Sequence, residues 1–516
     1  MRINILIGGK AGQGINKVSE IVSQVLRKQG YFTFNYREYP SLIRGGHNFN
    51  ILSVSDKRVG SYQDAFDFII ALDENTIEVH KNELKKEGII INYEKYETLG
   101  RNVNVALAGE LLKILGVDKT VLVEEIKEEL KSEDSVKAAE QGYNNAKNKF
   151  NFKKLDNKIN ILSGSQGVAI GARNSNIDLY VAYPMTPATG VMNELAEKQV
   201  ENNLMVFEAE NEIAAINQSL GASFAGAKTM VGSSGGGYDL MTEGLSMQGI
   251  SEIPLVVYLA SRPGPGTGIP TYSLQDDLDV ALRGGHGEFP RVVIAPGDSI
   301  ECIEKTNEAF YLAEKFNTLS IILSDKHLAE SEFSSDRKEN KTIPIKITRK
   351  IPDGEVVKAS SYEHDKLGNT TENPELAKKN ADERIEKYEN IKKEVEKFQM
   401  VKTYGNPNAK NLVIGWGSTK CAILDALDSI DKSIENPEKG KWKFLQVIYM
   451  KPLSNKIKEE IEKADKVILI EQNVTGQLGR LIREKTGIKI ENKILKYDSK
   501  PFTSDELTKE LKKYGN

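Results

Sequence analysis

The chain has very little cysteine, with only Cys302 and Cys421 among its 516 residues. These two residues are far apart and form no Cys-x-x-Cys pair, so the chain cannot by itself supply the four thiolates that an iron–sulfur cluster normally takes. Any such cluster must lie on a partner. We expect both cysteines to be buried thiols that form no disulfide in a reducing cytoplasm.

A long hydrophobic run and a charge imbalance are absent as well. The apolar stretch over residues 1–8 is too short to span a bilayer and lacks the small-residue cleavage site of a secretory signal. The 70 basic and 74 acidic side chains nearly balance, which gives no electrostatic argument for nucleic acid or an anionic membrane. The sequence therefore predicts a cytoplasmic protein that binds neither, and we assign no metal ligand to this chain.

The length favours about three domains. Residues 1–155 alternate between strand and helix patterns, which predicts an α/β domain with a mostly parallel sheet. Its predicted strands are 3–7, 32–35, 68–72 and 88–91, and its predicted helices are 15–28, 104–115 and 121–130, followed by a surface helix and linker over 144–158.

Two further α/β domains follow. Residues 156–330 carry apolar runs that predict one large doubly wound sheet, with strands at 159–162, 179–182, 204–207, 229–232, 254–259, 292–295 and 319–323. The charged stretch 331–402 is predicted to be an exposed excursion, helical only over 374–398. A third α/β domain covers 403–516, with strands at 411–415, 444–448 and 466–470.

Two N-terminal segments have the composition of ligand sites. Residues 8–14, which include Gly12, lie between a strand and a helix, where backbone N–H groups can hold a phosphate, although a tight turn would explain these glycines equally well. Residues 39–48 place Arg44 beside two glycines and a histidine, so the backbone can approach closely either a ligand or another subunit.

The central domain carries the residues with the clearest chemistry. Tyr183-Pro184-Met185-Thr186-Pro187 directly follows a strand, where doubly wound sheets bind ligands, and Thr186 can donate to an oxyanion unless the segment is only a rigid turn. Residues 207–212 are predicted to open a helix in which Glu208 and Glu212 share one face. Small residues after Glu212 allow close packing and can place it beside an apolar wall, although acidic residues in a first turn often only complement the helix dipole.

Two more segments of the central domain have little bulk. Residues 233–237 include Gly235 and Gly236 after a strand, and their small size fits a planar ring or a phosphate. Arg262 ends another predicted strand and precedes a Gly/Pro-rich loop. Its guanidinium could hold a carboxylate with two hydrogen bonds or form an ordinary salt bridge.

These motifs, taken together, resemble a known family. Residues 183–187, 208–212 and 262–267 resemble the alpha subunit of 2-oxoacid:ferredoxin oxidoreductases, and residues 8–14 and 39–48 resemble the gamma domain that several members carry fused ahead of alpha. Residues 411–418 and 471–473 resemble the family's transketolase-like C-terminal domain. The resemblance implies a central, pyrimidine-type domain that binds thiamine diphosphate and an enzyme that converts a 2-oxoacid to acyl-coenzyme A, carbon dioxide and reduced ferredoxin.

The resemblance also implies roles for single residues. Glu212 would bind the aminopyrimidine ring nitrogen of thiamine diphosphate and so promote loss of the proton from thiazolium C2. Thr186 and Arg262 would hold the carbonyl and carboxylate of the 2-oxoacid. The other cofactor-binding residues would be Tyr183, Pro184, Gly235 and Gly236, with Gly12 and Arg44 on the coenzyme A side.

The chain departs from the family pattern in ways that define its partner. Met185 stands where many relatives have Ile, and Ala188 where Ser is common, which could change substrate preference. The chain lacks the Gly-Asp-Gly-to-Asn segment that holds diphosphate and magnesium in thiamine enzymes. A beta subunit would supply that half-site, Mg²⁺ and a [4Fe-4S] cluster, with ferredoxin as electron acceptor, coenzyme A as co-substrate and an (alpha–beta)₂ assembly.

Three other interpretations remain at this point. A nicotinamide-dependent oxidoreductase would explain the N-terminal glycines but not Thr186, Glu212 and Arg262 together. A relative specific for arylpyruvates, of the indolepyruvate branch, would differ in its profile across aliphatic, acidic and aromatic 2-oxoacids. A non-catalytic scaffold subunit would retain full complex activity after Glu212→Ala. Within the main interpretation, 2-oxoglutarate, pyruvate and a broad substrate range stay open.

Overall fold

The computed structural model describes residues 1–40, 46–352 and 356–515. They form two compact units. The first contains residues 1–162, 331–337 and 503–509, and the second contains 163–330, 338–502 and 510–516. Among the described residues, no helix is both long and apolar enough to cross a membrane.

A mixed sheet forms the centre of the first unit. In chain order its strands are β1 (Arg2–Lys10), β2 (Phe32–Glu38), β3 (His47–Ser55), β4 (Phe66–Ala71), β5 (Leu84–Asn92), β6 (Asn160–Ser163) and, from the charged stretch, β13 (Glu332–Ser335). They are arranged as β5-β4-β1-β3-β2-β13-β6. Strands β4 and β5 run parallel to each other and to β1, whereas β3 is antiparallel to both β1 and β2.

The helices of this unit follow from the sequence pattern. Helix α1 (Ile15–Lys28) begins after Gly14, whose positive φ of 87° suits glycine, and buries the apolar side of its 3.6-residue repeat, including Val18, Val22 and Val25. The other helices here are α2 (Glu74–His80), α3 (Val103–Leu115), α4 (Lys119–Leu130), α5 (Glu133–Asn144) and the first residues of α18 (Ser504–Lys512), with 3₁₀ turns at Lys81–Glu83 and Tyr93–Asn102.

A seven-stranded sheet dominates the second unit. Its strands are β7 (Leu179–Ala182), β8 (Met205–Glu208), β9 (Thr229–Ser233), β10 (Leu255–Ser261), β11 (Arg291–Ile294), β12 (Leu319–Asp325) and β17 (Tyr449–Lys451), in the order β17-β11-β12-β10-β9-β7-β8. All neighbours are parallel except β17, which is antiparallel to β11. The associated helices are α6 (Gly164–Asn174), α7 (Thr189–Glu197), α8 (Glu212–Phe224), α9 (Gly235–Leu240), α10 (Thr242–Ser251), α11 (Leu278–Arg283), α12 (Ser299–Phe316) and α13 (Lys326–Glu330).

The third sheet belongs to the same unit. It contains β14 (Val401–Gly405), β15 (Asn411–Trp416), β16 (Trp442–Val447), β18 (Lys466–Glu471) and β19 (Asn492–Leu495), in the order β14-β16-β15-β18-β19. The helices α15 (Thr419–Asp431), α16 (Lys456–Glu462) and α17 (Gln477–Thr486) complete it, whereas α14 (Pro374–Val395) contacts α12. One hydrophobic cluster includes buried residues of both sheets, such as Val257, Leu323 and Leu445, so the two sheets share a core.

A buried ionic network also joins these two sheets. Lys420 of α15 donates to Asp298, at the start of α12, over 2.5 Å and to Glu301 within that helix. The Gln446 side chain of β16 donates to the second carboxylate oxygen of Glu301 at 2.6 Å. Because a buried charge is tolerated only when it is paired and hydrogen-bonded, these contacts fix α12 against the third sheet.

The α/β class and the predicted helix over 15–28 are confirmed, and three expectations are wrong. The first sheet is not mostly parallel, because β3 lies antiparallel between β1 and β2. The run 159–162 pairs in the first sheet rather than opening the second. The surface helix expected over 144–158 lies earlier, since α5 ends at Asn144. Cys302 and Cys421 are buried, as expected, and neither forms a disulfide.

Candidate functional site

The carboxyl ends of four parallel strands meet at one edge of the second sheet. The register pairs Ala182 at the end of β7 with Glu208 of β8 and with Gly232 of β9, and it pairs Ser233 with Leu259 of β10. The loops after these strands therefore emerge side by side. They carry the residues that the sequence marked, at the edge where doubly wound sheets bind ligands.

Glu212 is the buried acid of this edge. It is the first residue of α8, and the preceding Asn211 caps the helix by accepting from the Ala214 N–H at 2.8 Å. The cap leaves the Glu212 carboxylate free of a capping role, and the residue is only 5% exposed. The sequence pattern predicted that Glu208 and Glu212 would share one face of a helix. They do not, because Glu208 still belongs to strand β8, where it is exposed.

Glu212 lies against a turn of three glycines at the start of α9. A Cβ atom placed on Gly237 would be 2.5 Å from the Glu212 Oε1 atom and 2.1 Å from the Ser233 Oγ atom. No larger residue fits there without moving the carboxylate. The hydroxyls of Ser233 and Ser234, just before the turn, are buried and accept or donate no hydrogen bond among the described residues.

The guanidinium of Arg262 follows strand β10. Its Nη1 atom donates to the backbone carbonyl oxygen of Thr186 at 3.1 Å, so the two predicted substrate-binding residues are in contact. Burial lowers the pKa of Arg262, while the carboxylates of Asp277 and Glu212 act in the opposite direction. The arginine is thus a partly desolvated cation that faces two acidic groups.

Asp277 is the residue of this site that the sequence analysis missed. It stands immediately before α11, where an aspartate usually caps the helix, yet its side chain makes no capping hydrogen bond. A Cβ atom on Gly235 would be 2.3 Å from its Oδ1 atom. Asp277 and Glu212 therefore contact the two ends of the same glycine turn. In the sequence, an aspartate just before a helix looks like an ordinary helix cap, so the sequence alone could not single out Asp277.

The remaining predicted residues belong partly to this edge, partly to the first unit and partly to residues outside the described ranges. Tyr183 and Pro184 follow β7 on the same edge, and Tyr183 is 40% exposed. Gly236 lies in the glycine turn, with the Gly266 carbonyl oxygen 3.7 Å from the position of an added Cβ. Gly12 belongs to the first unit, in the exposed turn before α1. Arg44 lies outside the described residues.

Family comparisons agree with this site. A family described as the thiamine diphosphate-binding domain of pyruvate flavodoxin/ferredoxin oxidoreductase matches residues 170–400, and pyruvate ferredoxin/flavodoxin oxidoreductase matches residues 4–103. The first match contains all four strand ends and the glycine turn. Six of the seven strands of the second sheet, all except β17, thus lie in the part of the chain that matches this thiamine diphosphate-binding domain.

Similarity to single proteins extends over the full chain. The alpha subunit of 2-oxoacid:ferredoxin oxidoreductase from Saccharolobus solfataricus is 30% identical, with 99% of this chain and 98% of the relative aligned. The corresponding subunit from Sulfolobus sp. is 28% identical, with 99% of this chain and 96% of the relative aligned. The chain belongs to the family of 2-oxoacid:ferredoxin oxidoreductase alpha subunits, an oxidoreductase family.

A solved structure shows the same fold. The 2-oxoglutarate:ferredoxin oxidoreductase from Magnetococcus marinus, determined with 2-oxoglutarate, coenzyme A and succinyl-CoA bound, superposes with a TM-score of 0.87. The two chains are 24% identical, and the superposition covers 99% of each. This likeness shows that the chain has the same fold as that protein.

Proposed function

We propose that this chain is the alpha subunit, fused to a gamma domain, of an enzyme that oxidatively decarboxylates a 2-oxoacid to acyl-coenzyme A. The observation that carries the proposal is the buried Glu212 carboxylate held against Gly237, with Arg262 on the same edge of the sheet. An acid without a structural hydrogen-bonding role, beside a turn of minimal bulk, suits a ring that exchanges a proton.

The residues of this edge fit the aminopyrimidine half of thiamine diphosphate. The three glycines leave a flat surface, and the buried hydroxyls of Ser233 and Ser234 are unsatisfied polar groups that a heterocycle's nitrogen atoms can satisfy. When bound, the cofactor supplies the carbon nucleophile for the 2-oxoacid carbonyl and an acceptor for the charge left by departing carbon dioxide. Tyr183 and Pro184, after β7, would lie at the outer side of the ring.

Glu212 would hold a proton at the ring nitrogen of the aminopyrimidine. Its position is fixed because α8 begins at Glu212 and because Asn211, not Glu212, closes the helix end. The residue is only 5% exposed, so a bound ring would leave little room for water at the carboxylate. A carboxylate that is oriented and desolvated in this way moves a proton with little reorganisation.

Arg262 and Thr186 would orient the 2-oxoacid. One nitrogen of the guanidinium is already engaged by the Thr186 carbonyl oxygen, which fixes the plane of the group. Its other N–H groups can donate to the substrate carboxylate in parallel hydrogen bonds. The Thr186 hydroxyl can donate to the neighbouring carbonyl oxygen, so that the carbon under attack is held between them.

A beta subunit would complete the site. The chain contains no Gly-Asp-Gly segment for the diphosphate and Mg²⁺, and two buried cysteines cannot ligate a [4Fe-4S] cluster. Exposed apolar side chains lie on the segments that border the site, which favours coverage by another chain. They are Tyr183, Phe207, Ile213, Leu240 and Ile269. We propose an (alpha–beta)₂ complex that reduces ferredoxin in the cytoplasm.

Coenzyme A would be bound with the help of the first unit. Gly12 lies in an exposed turn with φ near 90°, where an added Cβ would meet no atom within 4 Å, so the backbone is open to a ligand. Gly14 then precedes the N-terminus of α1, whose free N–H groups favour an anion. We propose Gly12 and Arg44 as residues on the coenzyme A side.

The test is reduction of ferredoxin by the chain co-expressed anaerobically with its candidate beta subunit. Activity should require both chains, coenzyme A and a 2-oxoacid, and a panel of 2-oxoglutarate, pyruvate, branched and aryl 2-oxoacids identifies the substrate class. Preference for arylpyruvates would assign the chain to the indolepyruvate branch. A complex loaded with thiamine and cluster that reduces ferredoxin with none of these acids would contradict the catalytic proposal.

The glycine turn gives a separate prediction. Gly237→Ala should weaken thiamine diphosphate binding by about tenfold or more, because the new methyl would displace the Glu212 carboxylate and the Ser233 hydroxyl. Binding is measured by isothermal titration of the assembled apo complex. Gly236→Ala separates the two causes of loss, because its methyl meets no protein atom closer than 3.7 Å and can only clash with a bound ligand.

The control for both variants is Gly221→Ala on the exposed side of α8, where an added Cβ meets nothing within 4 Å. It should bind the cofactor as the unaltered chain does. Unchanged affinity in Gly237→Ala, with normal thermal unfolding, would remove Glu212 and its glycine from the cofactor site.

A further inference from the structure

Asp277 occupies an unusual position for a carboxyl group. Its Oδ2 atom is shielded from solvent and makes no hydrogen bond with the described residues. Its Oδ1 atom lies against Gly235, at the end of the glycine turn opposite to the one that Glu212 contacts. The side chain is therefore not a helix cap, and the burial of a carboxylate oxygen that makes no hydrogen bond needs a reason.

Arg262 is the cation that both acids share. Asp277 and Glu212 are the two charges that favour its protonated form, and its Nε atom is buried without a hydrogen-bond partner among the described residues. Because Nη1 is held by the Thr186 carbonyl oxygen, the guanidinium cannot turn to pair fully with either acid. A substrate carboxylate at Arg262 would thus bind a cation whose charge already interacts with the carboxylate of Asp277.

Hydrogen bonds from the third sheet hold the segment around Asp277. The Gln275 side chain donates to the Trp416 carbonyl oxygen at 2.9 Å and accepts from the Gln472 N–H at 3.0 Å. The Gln477 side chain donates to the Asp276 carbonyl oxygen at 2.8 Å and accepts from the Asp279 N–H at 3.1 Å. The chain on both sides of Asp277 is thereby held in place.

We propose that Asp277 is a positioning residue that leaves the charge of Arg262 to the 2-oxoacid carboxylate when uncharged and competes with that carboxylate for Arg262 when ionised. The inference rests on the proposed function. On this proposal, the affinity for the 2-oxoacid depends on pH through Asp277. Asp277 exchanges no proton with the cofactor and does not contact the reacting carbonyl. Asp277 thus sets the affinity for the substrate, while Glu212 exchanges the proton with the cofactor.

The direction of the pH effect follows from the surroundings of Asp277. Burial raises its pKa to about 7, the neighbouring carboxylates of Asp276 and Asp239 act in the same direction, and Ser261 and Arg262 oppose them. Below this pH the group is neutral and leaves the Arg262 charge to the substrate. Above it, one negative charge appears beside Arg262, so substrate binding weakens by up to about tenfold per pH unit.

The test compares Asp277→Asn with the unaltered complex at pH values of about 6 and 8. Oxamate, an unreactive carboxylate with an adjacent carbonyl, serves as the binding probe, and KM and kcat for the 2-oxoacid are measured in parallel. In the unaltered complex the dissociation constant of oxamate should rise about tenfold between the two pH values. Asp277→Asn should bind oxamate equally at both, with kcat changed by less than about threefold.

Asp276→Asn is the matched control. Asp276 is adjacent in sequence, and its Oδ2 atom accepts from the Gly264 N–H at 3.2 Å, a contact that the asparagine oxygen preserves. This variant should retain a pH dependence of oxamate binding, moved to lower pH, because the Asp276 charge is one of the groups that raise the pKa of Asp277. If Asp276→Asn removes the dependence and Asp277→Asn retains it, the assignment to Asp277 is wrong.

Other outcomes are equally decisive. A complex that turns over a 2-oxoacid while binding oxamate with the same affinity at both pH values overturns the role of Asp277 and leaves the proposed function intact. That measurement uses only the unaltered complex, so it can be made even if Asp277→Asn does not fold. A loaded complex that neither binds oxamate nor turns over any 2-oxoacid overturns the proposed function and the inference together.

Discussion

Replacing Glu212 by Gln should reduce 2-oxoacid-dependent ferredoxin reduction by about 1,000-fold, within the range that a positioned proton-transfer group contributes. The amide has nearly the volume of the carboxyl group, so it fits the space beside Gly237 without a new clash. It cannot take up a proton from the aminopyrimidine nitrogen, however. The loss should therefore fall on kcat, with a small effect on KM for the 2-oxoacid.

Two further measurements define the result. Size-exclusion chromatography should show the Glu212→Gln chain in the same complex with its beta subunit, because Asn211 and not Glu212 caps α8. Glu210→Gln is the matched control, since Glu210 lies two residues earlier and is exposed. Full activity of Glu212→Gln in an intact, cofactor-loaded complex would support the scaffold interpretation instead.

Local sequence signals predicted many elements well because their physical causes are local. Helix α1 begins and ends where the sequence places it, since Gly14 can adopt positive φ and the apolar repeat has a clear 3.6-residue period. The six parallel strands of the second sheet were predicted for a similar reason. Strands buried on both faces are continuous apolar runs, and such runs stand out between polar helices.

Pairing between distant segments could not be predicted in this way. Strand β3 begins at His47, within the segment 39–48 that was interpreted as a ligand or subunit loop, and its polar residues Asn48 and Asn50 weaken the strand pattern. Strand β13 comes from the charged stretch and pairs with β2, about 300 positions earlier in the chain. The local sequence pattern does not indicate which strand either of them pairs with.

The candidate site was only partly visible in the sequence for the same reason. Thr186, Glu212 and Arg262 could be selected because each follows a strand end and carries a distinctive motif. Asp277 comes from a loop after a long Gly/Pro segment, and only the folded chain places it against Gly235. Its failure to cap α11, which is the sign of another role, is a matter of side-chain geometry.

The second large effect is expected at Arg262. Arg262→Gln should lower kcat/KM for the 2-oxoacid by about 100-fold or more, because removing one partner of a desolvated charge pair costs several kcal/mol. Most of the change should appear as a higher KM, since the carboxylate is bound in the ground state as well as in the transition state. Steady-state kinetics of the assembled complex with saturating coenzyme A measure both constants.

Arg262→Lys separates charge from geometry. Lysine keeps the positive charge beside Glu212 and Asp277, but its single ammonium cannot hold the Thr186 carbonyl oxygen and a carboxylate in parallel, so the loss should be about tenfold. Arg283→Gln is the control, since that arginine is exposed on α11 and pairs with Glu484. A lysine variant as impaired as the glutamine variant would show that the fork geometry dominates. Full activity of both variants would mean that the substrate carboxylate is bound elsewhere. If lysine alone restores most of kcat/KM, the charge of Arg262 is its main contribution, and competition by ionised Asp277 acts on that charge.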